Sequence, residues 1–169
     1  MELGKKGIQA VIIESAGFAE TGPEGKKRQD ELKEIAGDSG LRLLGPNCVG
    51  VVNTDNQFAT IEIMDHSMEP GPVSIIAQSG VFGNILLDHL PEVGVKISKV
   101  ATLGNKMDLD EADFLQYFVE DPQTRVIIIY EEGVVIIVIW LLISGFVKGL
   151  KRRRRNKGPE DNTEHEDEE

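Results

Sequence analysis

The sequence is short of several things, and each shortage narrows what it can be. It holds one cysteine, Cys48, among 169 residues. No disulfide can form within the chain, and a reducing compartment is expected. Positive charge is scarce: 18 lysines and arginines stand against 29 aspartates and glutamates, a formal net charge of -11. A general nucleic-acid binder needs a cationic face to neutralise phosphates, so that class is excluded. The amino terminus, MELGKKGIQA, is charged and has no apolar core of the kind a secretory signal carries. The body is therefore expected in the cytoplasm. Metal-ligating side chains are not clustered, so no metal site is expected. There is no Ser/His/Asp arrangement and no repeat of short period.

What is present is an alternation of short apolar runs with amphipathic ones. IQAVIIES (Ile8–Ser15) reads as a strand covered on both faces. GPEGKKRQDELKEIAGDSG reads as a charged helix with Leu32, Ile35 and Ala36 as its apolar stripe and Gly37 or Gly40 near its end. LRLLG is a second strand and VVNT a candidate third. Residues 55–72 lose the pattern, and Pro70-Gly71-Pro72 sets a domain boundary just before it. VSIIA (Val73–Ala77) then reads as a strand, and GVFGNILLDHL as a helix with Phe82, Ile85, Leu86 and Leu90 on one side. ISKVATLG reads as a strand, DEADFLQYFVED as a helix capped by Asp110 with Asp113 three residues on, and RVIIIY as a buried strand. Such alternation predicts parallel α/β layers.

Ligands of open parallel sheets bind beyond the carboxyl ends of the strands. Four such ends carry small residues here: ESAGF (Glu14–Phe18), the Gly45-Pro46-Asn47 turn with Cys48 just beyond it, Gln78-Ser79-Gly80 where a strand passes into a helix, and TLGNKMD (Thr102–Asp108). A helix opening at Ser79 would offer free N–H groups and a positive dipole end, suited to phosphate or carboxylate. Each turn alone is explained by turn geometry, and Cys48 alone by burial as a small apolar residue.

Taken together and in order, AVIIESAGFAETGPEG, LRLLGPNCVGVVNT, VSIIAQSGVFGNILLD and SKVATLGNKMDLDEADFLQYFVEDPQTRVIIIYEEG resemble the ADP-forming (NDP-forming) acyl-CoA synthetases, relatives of the succinyl-CoA synthetase α subunit. The resemblance covers about residues 7–133. It implies an α/β fold, with part of a Rossmann-like CoA-binding domain over residues 1–68 and the start of a flavodoxin-like domain over 69–133. It also implies the chemistry of an acid–thiol ligase that interconverts acyl-CoA, ADP and phosphate with acid, CoA and ATP through a phosphohistidine. On this resemblance Ser15, Ala16 and Gly17 would lie along CoA, and the turn from Gly45 to Cys48, with Asn47, would face the pantetheine end and the thioester. Gln78, Ser79 and Gly80 would point a helix at the phosphate, and Gly104 and Asn105 would line the same place. A glutamate after the last strand, Glu132 with Glu131 second, would support the histidine.

The family's histidine is expected some tens of residues beyond YEEG. There the chain has His165, in the acidic NTEHEDEE, while His66 and His89 precede the site. The phosphohistidine and the nucleotide-grasp domain, with ADP/ATP and Mg, are therefore expected from missing domains or a partner chain, and catalysis by this chain alone is not expected. After Glu132 the sequence runs GVVIIVIWLLISGFVKGLKRRRR. Residues 134–150 read as a transmembrane helix at the short limit of about 17 residues, and 151–169 as a basic then acidic disordered tail. A cytoplasmic body would push Lys151–Arg155 across the membrane, against the positive-inside rule. Two other readings are a buried core segment and an end of the family sequence at Glu132–Val134, with a frameshift or fusion supplying the rest. The competing functions are a membrane-tethered, non-catalytic CoA-binding module and a non-functional gene fragment.

Overall fold

The structure, a computed structural model, describes residues 2–61 and 69–133. The stretch read as a membrane span, 134–150, the tail 151–169 and His66 lie outside the described residues. Among the described residues no helix is long and apolar enough to cross a membrane.

A short helix α1 (Glu2–Lys5) precedes β1 (Ala10–Ile12); α2 (Pro23–Asp38) follows, then β2 (Arg42–Leu44). β1 and β2 pair in parallel, Val11 opposite Leu43. Next come β3 (Val51–Asn53), β4 (Phe58–Ala59), β5 (Val73–Ala77), α3 (Gly80–Glu92), β6 (Ile97–Thr102), α4 (Glu111–Glu120) and β7 (Val126–Tyr130). These strands form a second sheet in the order β4-β3-β6-β5-β7. β5 pairs in parallel with β6 on one side and β7 on the other, but β3 runs antiparallel to β6 and β4 antiparallel to β3. The sheet is thus mixed, where alternation alone predicts a parallel one. The physical reason is loop length. A parallel connection needs a dozen residues or more. Residues 54–57 turn the chain between β3 and β4, with Gln57 at φ 58°, and that allows only a hairpin. β4 falls inside the stretch that carries no readable pattern.

β5 and β6 are buried along their whole length, as inner strands of a sheet covered on both faces should be. Alternation along β5 divides its side chains. Ile75 and Ala77 join Val52, Val100 and Leu87 of α3 in one cluster. Ile76 joins Ala101, Leu103 and Phe118 of α4 in another. Each fully buried Ile contributes about 2 kcal/mol of transfer free energy. The second cluster also holds Leu44 and Cys48 from the β2 side, so the two sheets share core. A third cluster packs Ala36 of α2 on Leu43, and its remaining buried member is Met107, from beyond β6.

Three expected faces differ in detail. In α3 the buried positions are Gly83 and Leu87, with Phe82, Leu86 and Leu90 partly covered, whereas Ile85 is 55% exposed. A Cβ on Gly83 would come within 2.7 Å of Thr102 Cγ2. This close approach fixes which side of the helix lies down, and Ile85, two residues on, points away. In α2, Ala36 is buried but Ile35 is exposed, because two three-residue strands give that helix a narrow floor. β7, read as buried, is the last strand in the sheet order, and Val126 and Ile129 are exposed.

The cap expected at Asp110 is present. Asp110 caps α4 by accepting from the N–H groups of Ala112 and Asp113, and the Asp113 carboxylate accepts from the N–H of Asp110; such a cap contributes about 1 kcal/mol. Pro23 opens α2 at its first position. Beneath α4, Lys99 of β6 is buried and lies 2.7 Å from Asp121, whose carboxylate also accepts from Thr124 Oγ1. Thr124 in turn shares a 2.7 Å hydrogen bond with Ser74 of β5. The buried charge is thereby paired and bonded, which its burial requires.

Candidate functional site

The four turns singled out in the sequence meet at the carboxyl ends of the parallel strands, joined by one run of hydrogen bonds. The turn after β1 offers the carbonyl of Ser15 to the N–H of Asn47, at 3.0 Å. The turn after β2 contains a cis Gly45–Pro46 peptide and Asn47 at φ 58°. Its Pro46 carbonyl accepts from the N–H of Asn105 at 2.9 Å, and its Gly45 carbonyl from the N–H of Met107 at 3.0 Å. The turn after β6 reaches the end of β5, where the N–H of Gly104 donates to the carbonyl of Gln78 at 3.1 Å. The N–H of Gln78 in turn donates to Tyr130, the last residue of β7, at 2.9 Å.

Two glycines are required for this closeness. A Cβ on Gly45 would run into the carbonyl oxygen of Ile13, and one on Gly104 into the carbonyl oxygens of Pro46 and Asn47. Both residues also hold positive φ, 93° and 58°, which L side chains adopt at a cost. Gly17 differs: φ is 106°, but a Cβ there would meet nothing within 4 Å, so its side of the turn is open.

Ser79 caps α3, accepting weakly from the N–H of Phe82 at 3.5 Å. Gly80 follows as the first helical residue and lies so close to Val49 that a side chain would strike the valine methyl. Phe82 stacks on Tyr130 with ring centroids 3.8 Å apart. The helix start is therefore held from two sides, and its first N–H groups have no partner inside the helix.

Cys48 is placed differently from a ligand-facing thiol. It is 5% exposed, its Sγ donates to the carbonyl of Ile13 at 3.4 Å, and burial, with the Glu14 charge behind it, pushes the thiol up to about 11. A thiol held protonated and buried is unfit as a nucleophile. Glu132 is exposed. Glu131 is mostly covered and pairs with Lys106 at 2.8 Å.

Sequence patterns did not point to Glu20, Gln29 or Lys106. The Glu20 carboxylate accepts from the N–H groups of Gly17 and Phe18 and from Asn105 Nδ2. The Asn105 bond, ahead of burial, which opposes it, and the backbone donors, holds this carboxyl down at about 2. The same Asn105 amide donates to Gln29 Oε1 at 3.0 Å and accepts from Asn47 Nδ2 at 3.4 Å. Lys106 stands at φ 52° between Glu131 and Glu111, 3.2 Å from the latter. Burial pulls its ammonium down, but the two carboxylates outweigh this and leave it raised. Glu20 had a local signal, an acid three residues beyond a glycine turn. Gln29 and Lys106 had none, because Asn105 and Glu131 reach them only through the fold.

The chain is similar to known proteins over most of its length. The profile of the succinyl-CoA ligase like flavodoxin domain matches residues 70–136. The ADP-forming acetate–CoA ligase I of Archaeoglobus fulgidus is 44% identical over 134 residues, which is 79% of this chain and 19% of that protein. The alpha subunit of the ADP-forming acetate–CoA ligase I of Pyrococcus furiosus is 45% identical over 134 residues, 79% of this chain and 29% of that one. Residues 70–136 thus carry a succinyl-CoA ligase like flavodoxin domain, and most of the chain is similar to part of the ADP-forming acyl-CoA synthetases. Among solved structures, the dinucleotide forming acetyl-coenzyme A synthetase 1 of Candidatus Korarchaeum cryptofilum superposes with a TM-score of 0.72 at 35% identity, over 78% of this chain and 28% of that chain. A second structure of that synthetase holds phosphate and ADP. The chain thus spans less than a third of each of these acyl-CoA synthetases.

Proposed function

We propose that the junction of the four turns is the CoA-facing and phosphate-facing part of an acid–thiol ligase of the ADP-forming kind. The observation that carries this reading is the unbroken hydrogen-bonded run from Ser15 through Asn47 and Asn105 to Gly104 and Gln78. It brings a turn with an open glycine face beside a capped helix start.

In this reading the open side of Gly17, with Ser15 and Asn47, lies along CoA, and Cys48 contributes through its backbone while its side chain fills the core. CoA supplies the thiol that becomes the thioester. The small residues let its chain approach the backbone closely, which the space beside Gly17 permits. The start of α3 at Ser79 and Gly80 turns its first-turn N–H groups toward phosphate, with Gln78, Gly104 and Asn105 completing the wall. Lys106 adds a fixed positive charge near the end of β5, and Glu131 or Glu132 orients the histidine. That histidine, the nucleotide-grasp domain and the Mg-bound nucleotide come from segments outside the described residues or from a partner chain. Residues 1–68 and 69–133 act as the CoA-binding and flavodoxin-like portions.

The test is calorimetric titration of the full chain with CoA and, separately, with inorganic phosphate. Binding of CoA that Asn47→Ala weakens at least tenfold, with phosphate binding weakened by Ser79→Ala, supports the assignment. A folded chain that takes up neither ligand sinks it.

A further inference from the structure

Asn105 is expected, on the family resemblance, to line the phosphate end of the site. Its side chain is committed elsewhere. Both amide hydrogens are used, one toward Glu20 Oε2 and one toward Gln29 Oε1, and its oxygen accepts from Asn47. Glu20 uses both oxygens as well: Oε1 takes the N–H groups of Gly17 and Phe18, and Oε2 takes Asn105. One carboxylate thus ties the turn after β1 to the turn after β6, across 85 residues of sequence. A second link from the Ser15–Phe18 turn to the strand-end turns is the carbonyl of Ser15, which accepts from the N–H of Asn47.

We infer that Glu20 is a positioning residue. Through Asn105 it sets the open Gly17 face in register with the Gln78–Gly80 helix start. The assignment of those two faces to ligands rests on the function proposed above; the tie itself does not. Glu20 touches no reacting group. It acts by holding the open end of the turn, where Gly17 has positive φ and a Cβ would meet nothing within 4 Å, a position that would otherwise sample other conformations. Because the carboxyl is held at about 2, the tie stays charged throughout the neutral range.

The atom-by-atom arrangement gives a test by exchange. Glu20→Gln keeps an oxygen for Gly17 and Phe18 but sets its NH₂ against the Asn105 NH₂. Asn105→Asp sets a carboxylate against the Glu20 carboxylate. The double variant restores a donor facing an acceptor, with Gln29 free to turn its own amide. Hydrogen exchange of the full chain is measured on peptides covering 13–22 and 103–108, with circular dichroism confirming that each variant folds. Each single variant is expected to speed exchange at least tenfold in both peptides together, and the double variant to bring it back to within threefold of the parent. If only the mutated turn loosens, or if the double variant is as loose as the singles, Glu20 is not a positioning residue. CoA titration of the same four proteins separates the two claims. Affinity that falls about tenfold in the singles and returns in the double extends the positioning role to CoA. Absence of CoA binding in all four, with the exchange result intact, overturns the CoA assignment and leaves the tie standing.

Discussion

The ammonium of Lys106 lies 2.8 Å from Glu131 Oε2, although the two residues follow strands that do not touch. β6 and β7 flank β5 on opposite sides, so the ion pair reaches across the end of the central strand, beside the point where Gln78 leads into α3. A second carboxylate, Glu111 at the start of α4, is 3.2 Å from the same ammonium.

Replacing Lys106 by Met should leave two partly covered carboxylates facing each other without their cation. A loss of about 1 kcal/mol is expected, since both partners keep some contact with water. A cycle with Glu131→Gln checks it by urea denaturation: the double variant should recover most of the loss. Equal and additive losses would mean that the pair is not energetically coupled.

Gly104 and Gly37 should respond oppositely to alanine. At Gly104 the new methyl meets two backbone oxygens and the residue must hold φ 58°, so Gly104→Ala should cost about 2–3 kcal/mol or prevent soluble expression. At Gly37, inside α2, a Cβ meets nothing within 4 Å, and alanine should stabilise by about 0.5–1 kcal/mol. Thermal melting of both variants beside the parent makes the comparison. A neutral Gly104→Ala would show that the junction is looser than the geometry described.

Acid should weaken the fold through particular carboxylates. Burial raises Asp121, but Lys99 and Thr124 more than offset it and leave it lowered. Asp108 behaves alike, burial being outweighed by Arg42 and the N–H of Leu43. Glu20 is lowered from 4.5 to about 2. For a lowered carboxyl the unfolded chain takes up protons first, so its stabilisation is complete above the unfolded value and disappears as pH falls through the folded one. Urea midpoints should therefore stay level from pH 7 to about pH 5, then fall steadily toward pH 2. Asp121→Asn should flatten that fall. A midpoint that rises on acidification would contradict the assigned pairs.

Cys48 should be slow toward thiol reagents. With the thiol moved from 9.0 to about 11, its thiolate fraction near neutrality falls about a hundredfold, and burial slows access further. Iodoacetamide labelling followed by mass spectrometry in native buffer and in urea gives the ratio. Labelling at the rate of a free cysteine in the native protein would place the thiol at the surface.

Much of the frame was legible because it rests on local signals. VSIIA is a short apolar run too dense for a surface position, and ISKVAT is rich in strand-forming residues; both became fully buried strands. Asp110 with Asp113 announced the start of α4, and Ser79 before Gly80 announced that of α3. What stayed hidden was decided by tertiary contact. Nothing local tells that VVNT runs antiparallel to a strand 45 or more residues later, or that Ile85 rather than Leu87 faces water. Among the site residues, the turns were visible as glycine, proline and asparagine at strand ends, since turn geometry demands those types. The groups that tie the turns together, Glu20, Gln29 and Lys106, are ordinary charged and polar residues in polar stretches. Their meaning comes only from partners brought near by the fold.

Met107 sits 2% exposed among Leu43, Ala36 and the flanking apolar residues of the first sheet, yet it comes from the segment that follows β6 of the second. Two residues on, the N–H of Leu109 donates to the carbonyl of Leu43 at 3.0 Å. A gene cut or recombined between codons 61 and 69 would separate this plug from its socket. The amino-terminal piece would show a hole where Met107 belongs, and the carboxyl-terminal piece would expose a methionine with nowhere to go. Over evolutionary time the two stretches should therefore be inherited together, and shuffled chimeras of relatives should fold best when residues 42–45 and 105–109 come from the same parent.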